Sequence, residues 1–193
     1  MKPKPGLLSP LIRSDVQGLI LAKLFMVSGT EFTITDLAEY AFTSVPTAMR
    51  EVDRLVDAGY VNDKALGRTR LISSNVNHPL FTAIFQIVAH SYGPAALLPK
   101  ALTGLFGLQQ AFIYGAWAER LAQIEGPPPT ELQVLLVGNM NRIDASRALV
   151  SVEQKIGLPL TLQFVNNVDF EHDSTEFVRR IKQQPLLELE LAI

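Results

Sequence analysis

The sequence predicts an α+β chain: a helix-rich N-terminal domain that closes with a two-stranded hairpin, then a C-terminal domain of alternating strands and helices. Three observations carry this. Apolar residues recur at helical spacing from Val16 to Val27 and from Val45 to Val56. A polar, Gly-ended stretch, Asn62 to Gly67, separates two short runs with strand character. Beyond Gly107, strand and helix signals alternate.

At 193 residues the chain can hold two small domains, each with a core of its own, and 48% hydrophobic with 19% charged residues is a globular composition. There are no cysteines, which excludes a disulfide framework and thiolate metal sites and fits a reducing compartment. The start, Met1 to Gly6, lacks the apolar stretch of a signal peptide, and the longest apolar runs read as far short of a membrane span. The expected location is the cytoplasm, with no membrane partner. Net charge is −2, split between 9 Lys+Arg against 8 Asp+Glu in residues 1 to 79 and 8 against 11 in residues 80 to 193. A strongly basic coat is excluded, so any nucleic-acid contact has to come from a locally basic surface.

Residues 1 to 10, with Pro3, Pro5 and Pro10, read as an extended arm. A first helix follows from Ser14, with Val16, Leu19, Ile20, the Lys23 stem, Leu24 and Val27 on one stripe and Gly29 at its end. Thr33-Ile-Thr-Asp36 reads as a capping box with Asp in place of Glu, opening a short helix that carries Leu37, Ala38 and Tyr40. After a brief turn, Ser44 is the expected N-cap and Pro46 sits in the first turn of a third helix running to Ala58-Gly59. Its apolar face is expected to be Val45, Met49, Val52, Leu55 and Val56. Two strands, Tyr60-Val61 and Arg68 to Ile72, then flank the turn 62–67. Helices over Pro79–His90 and Pro94–Leu105 are expected to link the halves, giving a domain over 1–78, a linker over 79–107 and a domain over 108–193. In the last, strands fall at Ala111–Tyr114, Leu132–Val137 and Leu160–Val165, and helices from Trp117, over Asp144–Ile156 and near Ser174–Lys182.

A short helix, a tight turn, a second amphipathic helix and a two-stranded wing form the geometry that places one helix in the major groove and the wing on the backbone. In that frame Ser44 and Thr47 are hydroxyls suited to phosphate or base edges, Arg50 and Arg54 are guanidinium forks, and Lys64, Arg68 and Arg70 put cations on or beside the wing. Arg13, Lys2 and Lys4 add phosphate contacts from the arm. The structural alternative is an ordinary surface helix in which Arg50 and Arg54 pair locally with Glu51, Asp53 or Asp57. Glu51 on a reading face repels phosphate unless it accepts from a cytosine amino group.

The run Glu31-Phe-Thr-Ile-Thr-Asp-Leu-Ala38, with Ser44-Val-Pro-Thr47, Arg50 to Gly59 and Gly67-Arg-Thr-Arg70, resembles the winged helix-turn-helix regulators of the broad ArsR/MarR type over about residues 11 to 75. The resemblance implies transcription regulation by double-stranded DNA binding. ArsR-type metal sensing is not implied, since its Cys ligands are missing and His78, His90 and His172 show no i,i+4 clustering.

Ala111 to Ala118 followed by Glu131 to Gly138 resembles the minimal nucleotidyltransferase domain of the DNA polymerase β superfamily, over about residues 95 to 185. In that family a Gly-Ser turn opens a helix, Asp-x-Asp lies on a strand, and a third carboxylate lies on a later strand. Here Ala116 stands at the serine, Glu131 and Gln133 at the aspartates, and Leu160 to Phe164 supplies no acid. Two-metal chemistry needs clustered carboxylates. The expectation is a domain without catalysis, with no metal and no cofactor, and at most an anion near Gly115. The acidic run Asp169 to Asp173 lacks the Gly and the terminal Glu of a calcium loop and reads as a helix cap.

The leading expectation is a DNA-binding regulator that acts as a homodimer on a pseudo-palindromic site. Phe81, Ile84, Phe85, Leu97, Leu98, Leu102 and Leu105 supply either the dimer interface or core packing. The alternatives are a nucleotidyltransferase acting on nucleic acid or protein with Glu131 as its metal ligand, and a module that binds an effector or a protein partner.

Overall fold

The computed structural model describes residues 12–27, 29–124, 126 and 129–191. The arm with Lys2 and Lys4 lies outside them. The fold is mixed α and β with two small sheets, in two compact units, residues 1–93 and 94–193. The segment expected as a separate linker, 79–107, is divided between them. Its first helix packs inside the first unit and its second inside the second, because each small core needs one more apolar face to close it.

In the first unit α1 (Asp15–Met26) is capped by Ser14, whose side chain accepts from the Gln17 amide. β1 (Phe32–Thr33) leads into α2 (Ile34–Tyr40), where Asp36 N–H donates to Thr33 Oγ1 at 3.1 Å and Thr33 N–H to Asp36 Oδ2 at 2.9 Å. Aspartate therefore closes the capping box. α3 (Val45–Asp57) starts at its Ser44 cap with Pro46 in the first turn. β2 (Val61–Leu66) and β3 (Thr69–Ser74) form an antiparallel hairpin, and β1 joins the far side of β3. The pairing Leu66↔Thr69 leaves only Gly67-Arg68 as the turn. Residues 62–66, expected as loop, are strand: Val61 is the one buried residue of β2, so no apolar alternation marks it. Gly67 at φ +62° supplies the left-handed position a two-residue hairpin requires.

α4 (Phe81–Tyr92) lies along α1, and Phe25 and Phe81 stack with centroids 5.3 Å apart. A Cβ on Gly18 would fall 2.2 Å from the Tyr92 hydroxyl oxygen, so the Tyr92 ring lies over Gly18 where a side chain would displace it. α1 packs against α2, α3, α4 and β3. It therefore buries Ala22, Phe25 and Met26 as well as Ile20 and Leu24 from the single stripe expected. His78 is built into the turn before α4: its Nδ1 accepts from the Leu80 amide at 3.1 Å and its ring meets Tyr60 edge-on.

In the second unit, α5 (Pro94–Leu102), β4 (Leu108–Tyr114), α6 (Ala116–Leu121), β5 (Leu132–Gly138), α7 (Arg142–Ile156), β6 (Leu160–Val165), α8 (Asn167–Glu171), α9 (Glu176–Ile181) and β7 (Leu187–Glu188) follow in order. The sheet runs β6-β5-β4-β7. β5 and β6 are parallel and joined by α7, while β4 is antiparallel to both its neighbours. Leu132, Val134, Leu135 and Leu136 are fully buried, as in a strand covered on both faces. On one face Phe112, Tyr114, Leu135 and Val137 pack with Phe170 of α8 and Val178 and Ile181 of α9. α5 packs on α7.

Phe85, Leu98 and Leu102 are buried inside their own units, so those three cannot form an interface between copies. Among the described residues one helical stretch, Phe81–Leu102, is long and apolar enough to cross a membrane by length and composition, with mean hydropathy 1.2. The expectation that all apolar runs fall far short of a span does not hold for it. The stretch is interrupted at Gly93, where ψ of −168° ends α4.

Lys23 Nζ lies 5.1 Å from the Phe32 ring centroid and 4.9 Å from that of Tyr40. Burial lowers the Lys23 pKa against the opposing charge of Asp36, and burial pushes the Tyr40 phenol up to about 12. A phenol that titrates near 10.0 when unfolded and at about 12 when folded stabilises the fold fully below the lower value and loses that contribution as pH rises through the upper one. Thermal melts between these two pH values are expected to show a falling midpoint, less steep in Tyr40→Phe; the same slope in both proteins would assign the fall to other groups.

Candidate nucleic-acid interface

Of the expected stripe of α3, Val52 and Leu55 are buried, together with Ala48, while Val45 and Met49 are each 40% exposed. The small Ala48 side chain faces the core at the middle of the helix, which turns Val45 and Met49 outward. Beside them Ser44, Thr47 and Arg50 form a hydrogen-bonded row. Ser44 Oγ donates to Thr47 Oγ1 at 3.0 Å, and Arg50 Nη2 donates to the same oxygen at 3.1 Å. The Ser44 and Thr47 hydroxyls, each able to donate and accept, thus share one edge of the helix with the Arg50 guanidinium. Among the described residues Arg50 has no carboxylate partner.

Most of the other cations of the set are engaged in ion pairs. Glu51, 13% exposed, accepts from Arg13 Nη2 at 3.0 Å and from Arg54 Nη1 at 2.8 Å. The local pairing foreseen as an alternative is thus realised for Arg54, and Glu51 is compensated by two guanidinium groups that remain more than half exposed. Arg13 serves this pair. Lys64 on β2 meets Glu31 at 3.2 Å in a solvated ion pair.

Arg70 departs furthest from its expected role. Its Nε and Nη2 donate to Asp63 Oδ2 at 3.0 and 2.8 Å and its Nη1 to Asp53 Oδ1 at 2.8 Å. The hydrogen bonds to Asp63 first and Asp53 second raise the pKa of the guanidinium further. Arg70 thereby fastens the hairpin to α3, with three of its five N–H donors given to carboxylates. Arg68, at the hairpin tip, is exposed and has no carboxylate partner among the described residues. No contact joins Lys64 or Arg68 to the Ser44 row.

Sequence reasoning missed Asp53 and Asp63 as a clamp and the outward turn of Val45 and Met49. It also missed Phe42, 87% exposed at φ +51° in the turn between α2 and α3. The clamp had one legible signal, a basic residue between two acids that α3 and the hairpin bring together, but pairing register had to be known first.

In the second unit the expected nucleotidyltransferase positions meet at one end of the sheet. Tyr114, Gln133 and Thr161 share a row across β4, β5 and β6. Glu131 Oε1 accepts from Gln133 Nε2 at 2.6 Å and Oε2 from Thr161 Oγ1 at 2.7 Å. Gly115, at φ +68°, precedes α6, and a Cβ there would stand 1.9 Å from Gln133 Oε1. Burial first and the charge of Glu131 second raise the Tyr114 pKa, with Arg180 opposing. Among the described residues no group of three or more His, Asp or Glu is placed to share a metal.

No protein-family model, curated protein or solved structure matches the chain. Its function is argued from this geometry.

Removing Arg70 leaves Asp53 and Asp63 facing each other without a cation. Arg70→Ala is expected to cost on the order of 1–2 kcal/mol in urea unfolding, and Arg68→Ala to stay within about 0.5 kcal/mol of the parent protein. Equal stabilities would remove Arg70 from its place as the clamp.

Proposed function

We propose that the chain is a cytoplasmic transcriptional regulator that binds double-stranded DNA as a homodimer through its first unit. In this reading α2 and α3 are a helix-turn-helix, α3 enters the major groove, and the β2–β3 hairpin is the wing. The observation that carries it is the Ser44–Thr47–Arg50 row. It offers hydroxyl groups and, among the described residues, a guanidinium with no carboxylate partner on the exposed side of α3, joined to one another by hydrogen bonds. Val45 and Met49 supply apolar contact beside them, of the kind a thymine methyl group accepts. Arg68 meets the backbone at the wing tip, Arg13 and Arg54 flank the helix around Glu51, and Arg70 contributes by holding the wing to α3.

The second unit is read as a nucleotidyltransferase-like fold without catalysis. Its support is chemical: Glu131 is the sole acid in the expected set, and both its oxygens already accept side-chain donors. Dimerisation is assigned to the outer stripe of α4, where Leu80 and Ile87 are 49% and 42% exposed and lie at i and i+7 with Ile84 between them.

Selection of duplexes from a random pool, followed by fluorescence anisotropy against selected and scrambled DNA, tests this reading. Thr47→Ala and Arg50→Ala are expected to weaken the selected site by about 1–3 kcal/mol and the scrambled one much less. Arg68→Ala should weaken both equally and reduce the salt slope by about 1. Failure of the parent protein to select any sequence would end the proposal. In sedimentation velocity Ile87→Glu is expected to give monomers that bind the selected DNA more weakly; an unchanged dimer would move the interface elsewhere.

A further inference from the structure

At the carboxyl ends of the parallel strands β5 and β6 the second unit holds a cavity of about 590 Å³, a size typical of small-molecule sites. Crossover βαβ units leave such a crevice at that edge. It lies at the opposite end of β5 from Glu131 and Gln133, about 20 Å along the strand, and none of the chemistry considered above uses it.

Its lining has a definite character. Arg142, the first residue of α7, is exposed and places its guanidinium carbon over the Phe164 ring, 5.2 Å from the centroid, a cation–π contact at the mouth of the cavity. Among the described residues Arg142 has no carboxylate partner. The amides at the start of α7 are not what the site offers, because the Asn141 side chain already accepts from Ile143 and Asp144. Asp169 is the one acid of the lining, held by Asn166 Nδ2 at 2.7 Å. Met140 and Phe177 supply apolar wall, and Gln163 an exposed amide.

Charge decides the ligand class. One guanidinium and one carboxylate leave the lining neutral, so a single negative charge pairs with Arg142 while a second charge meets Asp169 without compensation. We infer that this cavity binds a small monocarboxylate with a planar apolar body, the carboxylate bidentate on Arg142 and the body against Met140 and Phe177. The inference is independent of DNA binding and of the role of the Ser44 row.

Isothermal titration of the full chain with 2-naphthoate, 2-naphthamide and 2-naphthyl phosphate tests it, with circular dichroism confirming the fold of each variant. Saturable one-to-one binding of 2-naphthoate is expected, with the amide and the phosphate weaker by about tenfold or more. Arg142→Gln should lose about tenfold in naphthoate affinity. Gln163→Glu should lose a similar factor by adding charge without touching Arg142 or Phe164, and it decides the matter where Arg142→Gln fails to fold. No saturable naphthoate binding, equal affinity for the amide, preference for the phosphate, or affinity unmoved by Gln163→Glu would each overturn the assignment.

Discussion

The exposed side of α3 is organised by competition for guanidinium groups. Glu51 takes Arg13 and Arg54, and Asp53 shares Arg70 with Asp63. These pairings decide the rest of that surface. A carboxylate on an outward helix face would repel phosphate, but Glu51, largely covered and doubly paired, presents two half-exposed cations in its place. Arg70 is drawn in the other direction, from surface cation to fastener between α3 and the hairpin. What remains uncompensated is small: Arg50, held by Thr47, and Arg68 at the tip. In residues 12 to 93 seven Lys or Arg stand against eight Asp or Glu, so the positive character of this face comes from how charges are partitioned and not from their sum.

The second unit follows a parallel logic with hydrogen bonds in place of ion pairs. Glu131 is satisfied by Gln133 and Thr161, and the same Gln133 amide occupies the space that a side chain at Gly115 would need. A carboxylate that already accepts two donors binds a divalent cation only by giving them up, and among the described residues no group of three or more His, Asp or Glu is placed to offset that loss. Glu131, Gln133 and Thr161 therefore read as a closed polar seam. It ties β5 to β6 beside Tyr114, which belongs to the apolar cluster of Phe112, Leu135 and Val137.

Much of the fold was legible in the sequence because its signals are local. Ser44 with Pro46, the Thr33–Asp36 box and the helical spacings of α1, α3 and α7 depend on residues within a few positions of one another, and the structure has each of them. Where reading failed, the deciding contact was distant. β2 has no alternation because both its faces are largely wet, and pairing with β3 alone makes it a strand. The apolar stripe of α3 was right at Val52 and Leu55 and wrong at Val45 and Met49, because Ala48 is too small to stand out beside them in a sequence. α8 and β7 are five and two residues long, below what periodicity can register. Of the interface residues, the sequence named the row on α3 but could not separate Arg70 from Arg68. The two differ only in which carboxylates the hairpin register brings within reach.

On the proposed reading, that separation also bears on why one unit would be insufficient. Counterion release scales with the number of phosphates neutralised, and a face with two uncompensated guanidinium groups and a hydroxyl neutralises few. A single copy then gains little from the backbone and must draw on base contacts from one short row. Two copies joined at α4 would double the row and turn the second engagement into an intramolecular step, raising affinity without a new contact. A near-neutral DNA-reading unit thus favours duplication physically: weak electrostatic attraction per copy keeps nonspecific binding low, and the joined pair recovers affinity only where both half-sites are present.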